Sequence, residues 1–348
     1  MKKRFLLSFF ALCTLFTMAQ KGIPKVDVLT SGTKTSLRGL SVVSDNVVWV
    51  SGSKGTVGRS SNGGKDWTWM TVKGFEDRDF RDIEAFDATT AIIMAVSEPA
   101  YILKTIDAGK TWKVVYANKT KGMFLDAMEF WNINAGIVIG DPVNGKIFIA
   151  RTFDGGETWR EIPEAYKPVA DSGEACFAAS GTNIRALDND EAVFITGGRT
   201  SRIFIRDTKN PLPIIQGRET TGANSIAVWN RYKRNGGNNL VVVGGDFSDS
   251  LAGPLCIYST NRGQTWKQPK TPPRSYKSCV EYLGENYLVA CGPTGVDYSL
   301  DGAENWQNIS SEGFHVARIA RNGKTVYLAG GNGKIGKLVF ENGKVRKK

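Results

Sequence analysis

Apolar residues in this chain fall in short runs separated by glycine, asparagine, aspartate and serine. "LRGLSVV", "NVVWVSG", "TVGRSS" and "WTWMTV" follow one another between residues 37 and 72. The same order returns as "FRDIEAF", "TAIIMAV", "YILKTI" and "WKVVYA" (80–117), and again as "FLDAMEF", "AGIVIG", "IFIART" and "WREI" (124–162). Runs this short, rich in β-branched and aromatic residues and bounded by turn formers, predict strands. Four antiparallel strands predict one propeller blade. Further units start at "ANSIAVW" (223), "KSCVEYL" (277) and "HVARIA" (315), and a degenerate one holds "AVFITGG" and "SRIFIRD". The last unit ends after three strands, while "KVDVLTS" (25–31) has no unit of its own. That segment is expected to supply the missing strand and close the ring, which removes two open sheet edges. The fold class is therefore all-β, a seven-bladed propeller of four-stranded antiparallel blades closed by an N-terminal strand.

A second periodicity lies in the turns. "RSSNGGKDW" (59–67), "KTIDAGKTW" (104–112), "RTFDGGETW" (151–159), "YSTNRGQTW" (258–266) and "YSLDGAENW" (298–306) join the third strand of a unit to its fourth. The tryptophans Trp67, Trp112, Trp159, Trp266 and Trp306 are spaced as units of about 40–50 residues, with one unit skipped. Asp107, Asp154 and Asp301 share their position with Asn62 and Asn261. A catalytic acid does not survive replacement by an amide, which has no carboxylic proton to donate. A turn cap does, because either side chain accepts backbone N–H bonds. Each turn also offers too few oxygen ligands for calcium.

This S/T-x-D/N-x-G-x-T-W pattern resembles the Asp-box, or BNR repeat, of sialidases and related propellers. The finer pattern, over nearly the whole mature chain, resembles the photosystem II stability/assembly factor-like propellers that also occur as exported bacterial proteins. The resemblance implies a scaffold or assembly role with no established chemistry. A sialidase-like activity would need three inner arginines. Arg38 and Arg81 fit two, and the equivalent positions Leu125, Thr182, Asn224, Lys277 and His315 give no third.

Composition narrows the classes further. The chain has 348 residues, 41% hydrophobic and 23% charged, with formal charge +11. Residues 1–19 combine Lys2, Lys3 and Arg4 with an apolar run and a small-residue end, as in a secretory signal peptide cut near Ala19. Residues 20–348 are then one propeller domain, exported to the periplasm or secreted as a monomer without a membrane span. A solvated surface accounts for the excess charge, and nucleic acid is not expected as a partner for an exported chain. With one histidine and no C-x-x-C pair, neither zinc nor any cofactor is expected. Cys279 and Cys291 lie on consecutive strands, and both a disulfide and buried free thiols fit them. "GNGKIG" (331–336) has the G-x-G-x-x-G form, but strand-like "KLVF" follows it where a dinucleotide site needs a helix. It reads as a hairpin turn.

Turns between second and third strands, and links between blades, should lie on the face opposite the Asp boxes. Function is expected there, on a protein partner or a polar or glycan ligand. Binding candidates are Arg38, Arg81, Asp126, Asp141, Glu174, Arg199, Arg202, Asn224, Asp246 and Lys277. If the chain were a glycoside hydrolase, Asp82, Asp126, Glu174 and His315 would be its acid–base candidates. The long link "PEAYKPVADSGEACFAASG" (163–181) is expected to hang over the same channel mouth.

Overall fold

The structure is a computed structural model that describes residues 22–31, 33–188, 190–206, 208–233, 236–249 and 254–340. Residues 1–19, where a signal peptide is expected, and the basic C-terminal tail lie outside these residues. Seven antiparallel sheets stand around a central channel. The first is Leu37–Val42, Val48–Gly52, Thr56–Ser60 and Thr68–Thr71. Innermost strands of blades two to seven are Phe80–Ala85, Leu125–Phe130, Ile184–Ala186, Thr221–Val228, Cys279–Tyr282 and Val316–Ile319. Lys25–Thr30 pairs antiparallel with Ile335–Val339 and completes the seventh blade, so the two ends of the chain share one sheet. Gly331–Gly333 forms a short turn with Asn332 and Gly333 at positive φ, followed by a strand, as expected for a hairpin.

Alternation explains the packing. In Ala91–Ala95, Ile92 and Met94 join Leu125, Met128, Phe130 and Trp159 between blades two and three. Ala91, Ile93 and Ala95 turn the other way, toward Trp49, Val57 and Phe80 of blades one and two. A strand packed on both faces reads as a continuous apolar run, and "AIIMA" is buried throughout. The outer strand Lys113–Asn118 has one face in solvent and mixes lysine and asparagine with valine.

All five Asp-box turns use one set of bonds. In blade three the Thr152 hydroxyl donates to Asp154 (2.8 Å) and accepts from Gly156 N (2.9 Å). Asp154 accepts from Thr158 N (2.9 Å) and its hydroxyl (2.6 Å). Asn62 and Asn261 take the corresponding backbone N–H of Asp66 and Thr265, both at 3.0 Å. Burial opposes ionisation of Asp154, but the Thr158 bonds outweigh it and hold its carboxyl at about 2. Gly156 has φ +81, and a Cβ there would lie 2.3 Å from Ile92 Cδ1 of the preceding blade, which favours glycine at this site, although blade six holds Ala303 at the same turn position and φ. Trp159 and Trp306 are buried in the layers shared with the preceding blade.

Blade five departs from the expected four strands. Its outer strand is reduced to a bridge between Tyr258 and Lys267, beyond which Pro269, Pro272 and Pro273 withhold backbone donors. It gains two short inner strands instead, Gly197–Gly198 and Glu174–Ala175, the latter from the 163–181 link.

Candidate functional site

The channel has two ends, and they differ. At the end opposite the Asp boxes, the 163–181 link enters the mouth and is bonded into it. Ser180 donates to Ser278 O (2.7 Å), Arg38 to Ala179 O (3.1 Å) and Arg318 to Gly181 O (3.0 Å), while Asp141 accepts from Cys176 N (2.9 Å). These anchors come from blades one, three, six and seven, so the link closes the mouth as a plug.

Most sequence candidates lie under or beside that plug. Asp82 is buried and accepts from Ile83 N (2.9 Å) and Met128 N (2.7 Å). Asp126 is fully buried, and neither carboxyl oxygen has a hydrogen bond of ordinary geometry. Burial above all, and then the neighbouring Glu84 and Asp141 charges respectively, push both carboxyls well above their usual range. Burial raises Asp141 to about 6. Glu174 is sealed by the Arg202 guanidinium, whose Nε lies 2.9 Å from it and whose Nη2 also donates to Val169 O. Lys277 pairs with Asp297 at 2.7 Å, and Asn224 accepts from the Tyr276 hydroxyl (2.9 Å). Asp246, capped by Ser248, is held at about 2. Arg199 is on the surface beside Glu219 (3.4 Å).

Arg38, Arg81 and His315 remain half-exposed at the starts of consecutive inner strands. Arg81 pairs with Asp79 (2.7 Å), and His315 Nε2 is 3.3 Å from the Ser36 hydroxyl. Burial, then the Arg38 and Arg81 charges, lower His315 to about 3. Its imidazole is neutral at pH 7 and a weak base. The structure therefore separates the candidate acids Asp82, Asp126 and Glu174 from solvent instead of gathering them in an open pocket.

The open cavity is at the other end. Turns joining first to second strands meet the Asp-box turns there, as in Gly155 N to Asn134 O (2.8 Å) and Gly302 N to Asn286 O (2.9 Å). A funnel of about 410 Å³ opens on this face. Its wall is a ring of alternating charge. Arg231 bonds Glu129 (2.7 Å), Arg185 bonds Glu281 (3.1 Å), Arg318 lies 3.6 Å from Glu281, and Arg321 bonds Glu84 (3.0 Å). The Arg318 bond to Gly181 makes the plug its floor. Trp229 forms part of one side, and Tyr232 stands at the rim, 51% exposed. Opposite charges hold Arg231 and Arg318 protonated despite burial.

None of these ring residues was a sequence candidate, yet they carry a signal. "RDIEAF", "LDAMEF", "NIRAL", "SCVEYL" and "HVARIA" place Glu84, Glu129, Arg185, Glu281 and Arg318 at one position of the innermost strand. A charge recurring inside buried strands calls for partners across a channel.

Residues 257–268 match the BNR/Asp-box repeat model. No curated protein matches the sequence. In fold, the chain is similar to "YCF48 bound to D1 peptide" at 17% identity and TM-score 0.65, over 92% of this chain and 98% of that one. It is similar to YCF48 from Cyanidioschyzon merolae at 14% identity and TM-score 0.64, over 90% and 98%. It is also similar to a GH74 xyloglucanase from Xanthomonas campestris at 12% identity and TM-score 0.60, over 90% of this chain and 53% of that one. At these identities the likeness is one of fold. No helix among the described residues is long and apolar enough to cross a membrane. Bonded turns, ring closure and comparisons converge: this chain is an Asp-box seven-bladed β-propeller similar in fold to YCF48.

Proposed function

We propose that this chain is an exported, non-catalytic binding scaffold, and that a segment of a protein partner enters the funnel at the Asp-box end. The funnel itself carries this reading. Four guanidiniums face three carboxylates, with Trp229 and Tyr232 beside them. A concave site with a few convergent charged groups and an aromatic wall suits a polar peptide segment. The similar fold of YCF48, which binds the D1 peptide, supports a protein partner. A non-catalytic role is supported by the carboxylates. Those of the funnel are engaged by arginine, Asp82 and Asp126 are buried beneath the plug, and Glu174, a residue of the plug itself, is sealed by Arg202. This moves the proposed face from the one expected in the sequence to its opposite, because the chain's own link occupies the expected mouth.

Pull-down from the cell envelope, comparing the natural chain with an Arg321→Ser, Tyr232→Ala double variant, tests the proposal. Both residues are on the rim, so the variant should melt within a few degrees of the natural chain and lose partner retention at least tenfold. Retention that survives this variant but fails on Arg199→Ser would return the site to the opposite face. Turnover of aryl glycosides, lost on Asp126→Asn or Glu174→Gln, would replace the scaffold with a hydrolase.

A further inference from the structure

Four cysteines are buried in the described residues. Cys176 and Cys256 lie in two separate inter-blade layers. Cys279 and Cys291 are different. They sit directly opposite one another in the first and second strands of blade six, as register partners. Residues directly opposite in an antiparallel pair have Cα atoms about 4.5–5.5 Å apart, inside the span a disulfide bridges without backbone movement. Both side chains lie in the same buried layer, so they point to the same face of the sheet and act on each other's ionisation.

The surroundings prepare Cys279 as the attacking sulfur. Its sulfur lies 3.4 Å from both Ala317 N and Ala317 O, on the facing strand of blade seven. Burial opposes its ionisation, but the Cys291 bond, the Arg318 charge and the Ala317 amide outweigh it and bring the thiol to about 7. Cys291 is pushed the other way, by burial and by Cys279. One thiol of the pair is thus the nucleophile and the other holds the proton, the division that thiol–disulfide exchange uses.

We propose that Cys279 and Cys291 form a cross-strand disulfide in blade six when the chain folds in the presence of a disulfide donor. The Cys279 thiolate attacks a sulfur of the donor disulfide, and the departing donor thiolate takes up a proton. Cys291 then loses its proton and displaces the second donor sulfur from the mixed disulfide. Two protein thiols become one protein disulfide, and one donor disulfide becomes two donor thiols. Both cysteines are fully buried in the layer between blades six and seven. The Ala317 and Arg318 contacts that favour the Cys279 thiolate come from blade seven, so the exchange belongs to a partly opened state that keeps those contacts while admitting the donor. The product ties together two strands that pack against blade seven, where Cys279 touches Ala317, the neighbour of the funnel's Arg318.

The test uses the full mature chain, reduced, unfolded and refolded with glutathione disulfide as the donor. The folded fraction, selected by its native far-UV spectrum, is denatured in acid, alkylated and mapped. A single 279–291 link is expected, with a mass lower by two hydrogens and full alkylation of Cys176 and Cys256. The linked form should melt higher than its reduced counterpart. A Cys291→Ser variant should retain glutathione on Cys279 or alkylate there. Four alkylated thiols in the folded fraction, a different link, or a 279–291 link confined to chains that fail to refold would each overturn the proposal.

Discussion

The two ends of the channel are made by the same seven inner strands, yet one is shut and the other open. At the plugged end a single long inter-blade link folds inward, becomes two residues of sheet, and buries carboxyls beneath it. At the funnel end the Asp-box turns are short and bonded to their own blades, and the cavity stays open between them. The chemistry follows from access to water. Asp82 and Asp126, starved of solvent, hold their protons more tightly than free carboxyls do. Glu129 and Glu281, facing guanidiniums, sit in a charged ring. In this ring the length of one inter-blade link, more than residue type, distinguishes the plugged end from the open one.

The contrast breaks first at its buried ion pair. Glu174→Ala removes the plug carboxylate that partners the buried Arg202 of blade four, a loss of about 3–5 kcal/mol for a buried pair. Arg321→Ser removes a half-exposed partner of Glu84 and should cost below about 1 kcal/mol. Urea unfolding of both variants reads the difference, and equal losses would erase the distinction between the ends.

The pH response sharpens it. Asp141 titrates near 6 in the folded chain and at about 4 when unfolded. Its contribution is present below pH 4 and lost as the pH rises to 6, because only the unfolded state ionises freely there. Asp141→Asn keeps an acceptor for Cys176 N and should flatten that decline in melting temperature between pH 4 and 6. Asp107 and Asp154, held at about 2 mainly by their threonine bonds, act in the reverse sense. They add stability as the pH rises from 2 to 4. An unchanged slope in Asp141→Asn would show that burial does not raise this carboxyl.

The smallest effect lies in the turns around the funnel. Asn62 donates to the Asp66 carboxylate (2.7 Å), whereas Asn261 donates to the Thr265 hydroxyl (2.9 Å). Asn62→Asp places two carboxylates together and should destabilise by about 0.5–1 kcal/mol. Asn261→Asp recreates the Asp154–Thr158 arrangement and should stay within about 0.5 kcal/mol of the natural chain. Thermal melts in low salt would resolve the order, and a reversed order would refute the assigned amide orientations.

Much of this architecture is legible in the sequence because a propeller repeats itself. The box tryptophans count the blades, and the unpaired "KVDVLTS" identifies the closing strand. The amides at 62 and 261 mark the turns as structural. The prolines after Trp266 announce the weak outer strand of blade five, although the "WKQP" run reads as a full strand. The plug is harder to see. The sequence places the long link over the channel mouth, and only its bonds to blades one, three, six and seven show that it enters and fills that mouth. Arg38, Asp126 and Lys277 look alike as charges at strand starts, but the plug gives each a different access to water.

Local sequence determined the strands, the Asp-box turns and the number of blades, because alternation, turn chemistry and glycine placement act over a few residues. Tertiary structure alone decided which end of the channel is open and which charges meet across it. Glu129 and Arg231, or Arg185 and Glu281, are far apart along the chain, and closing the ring brings them together around the open funnel.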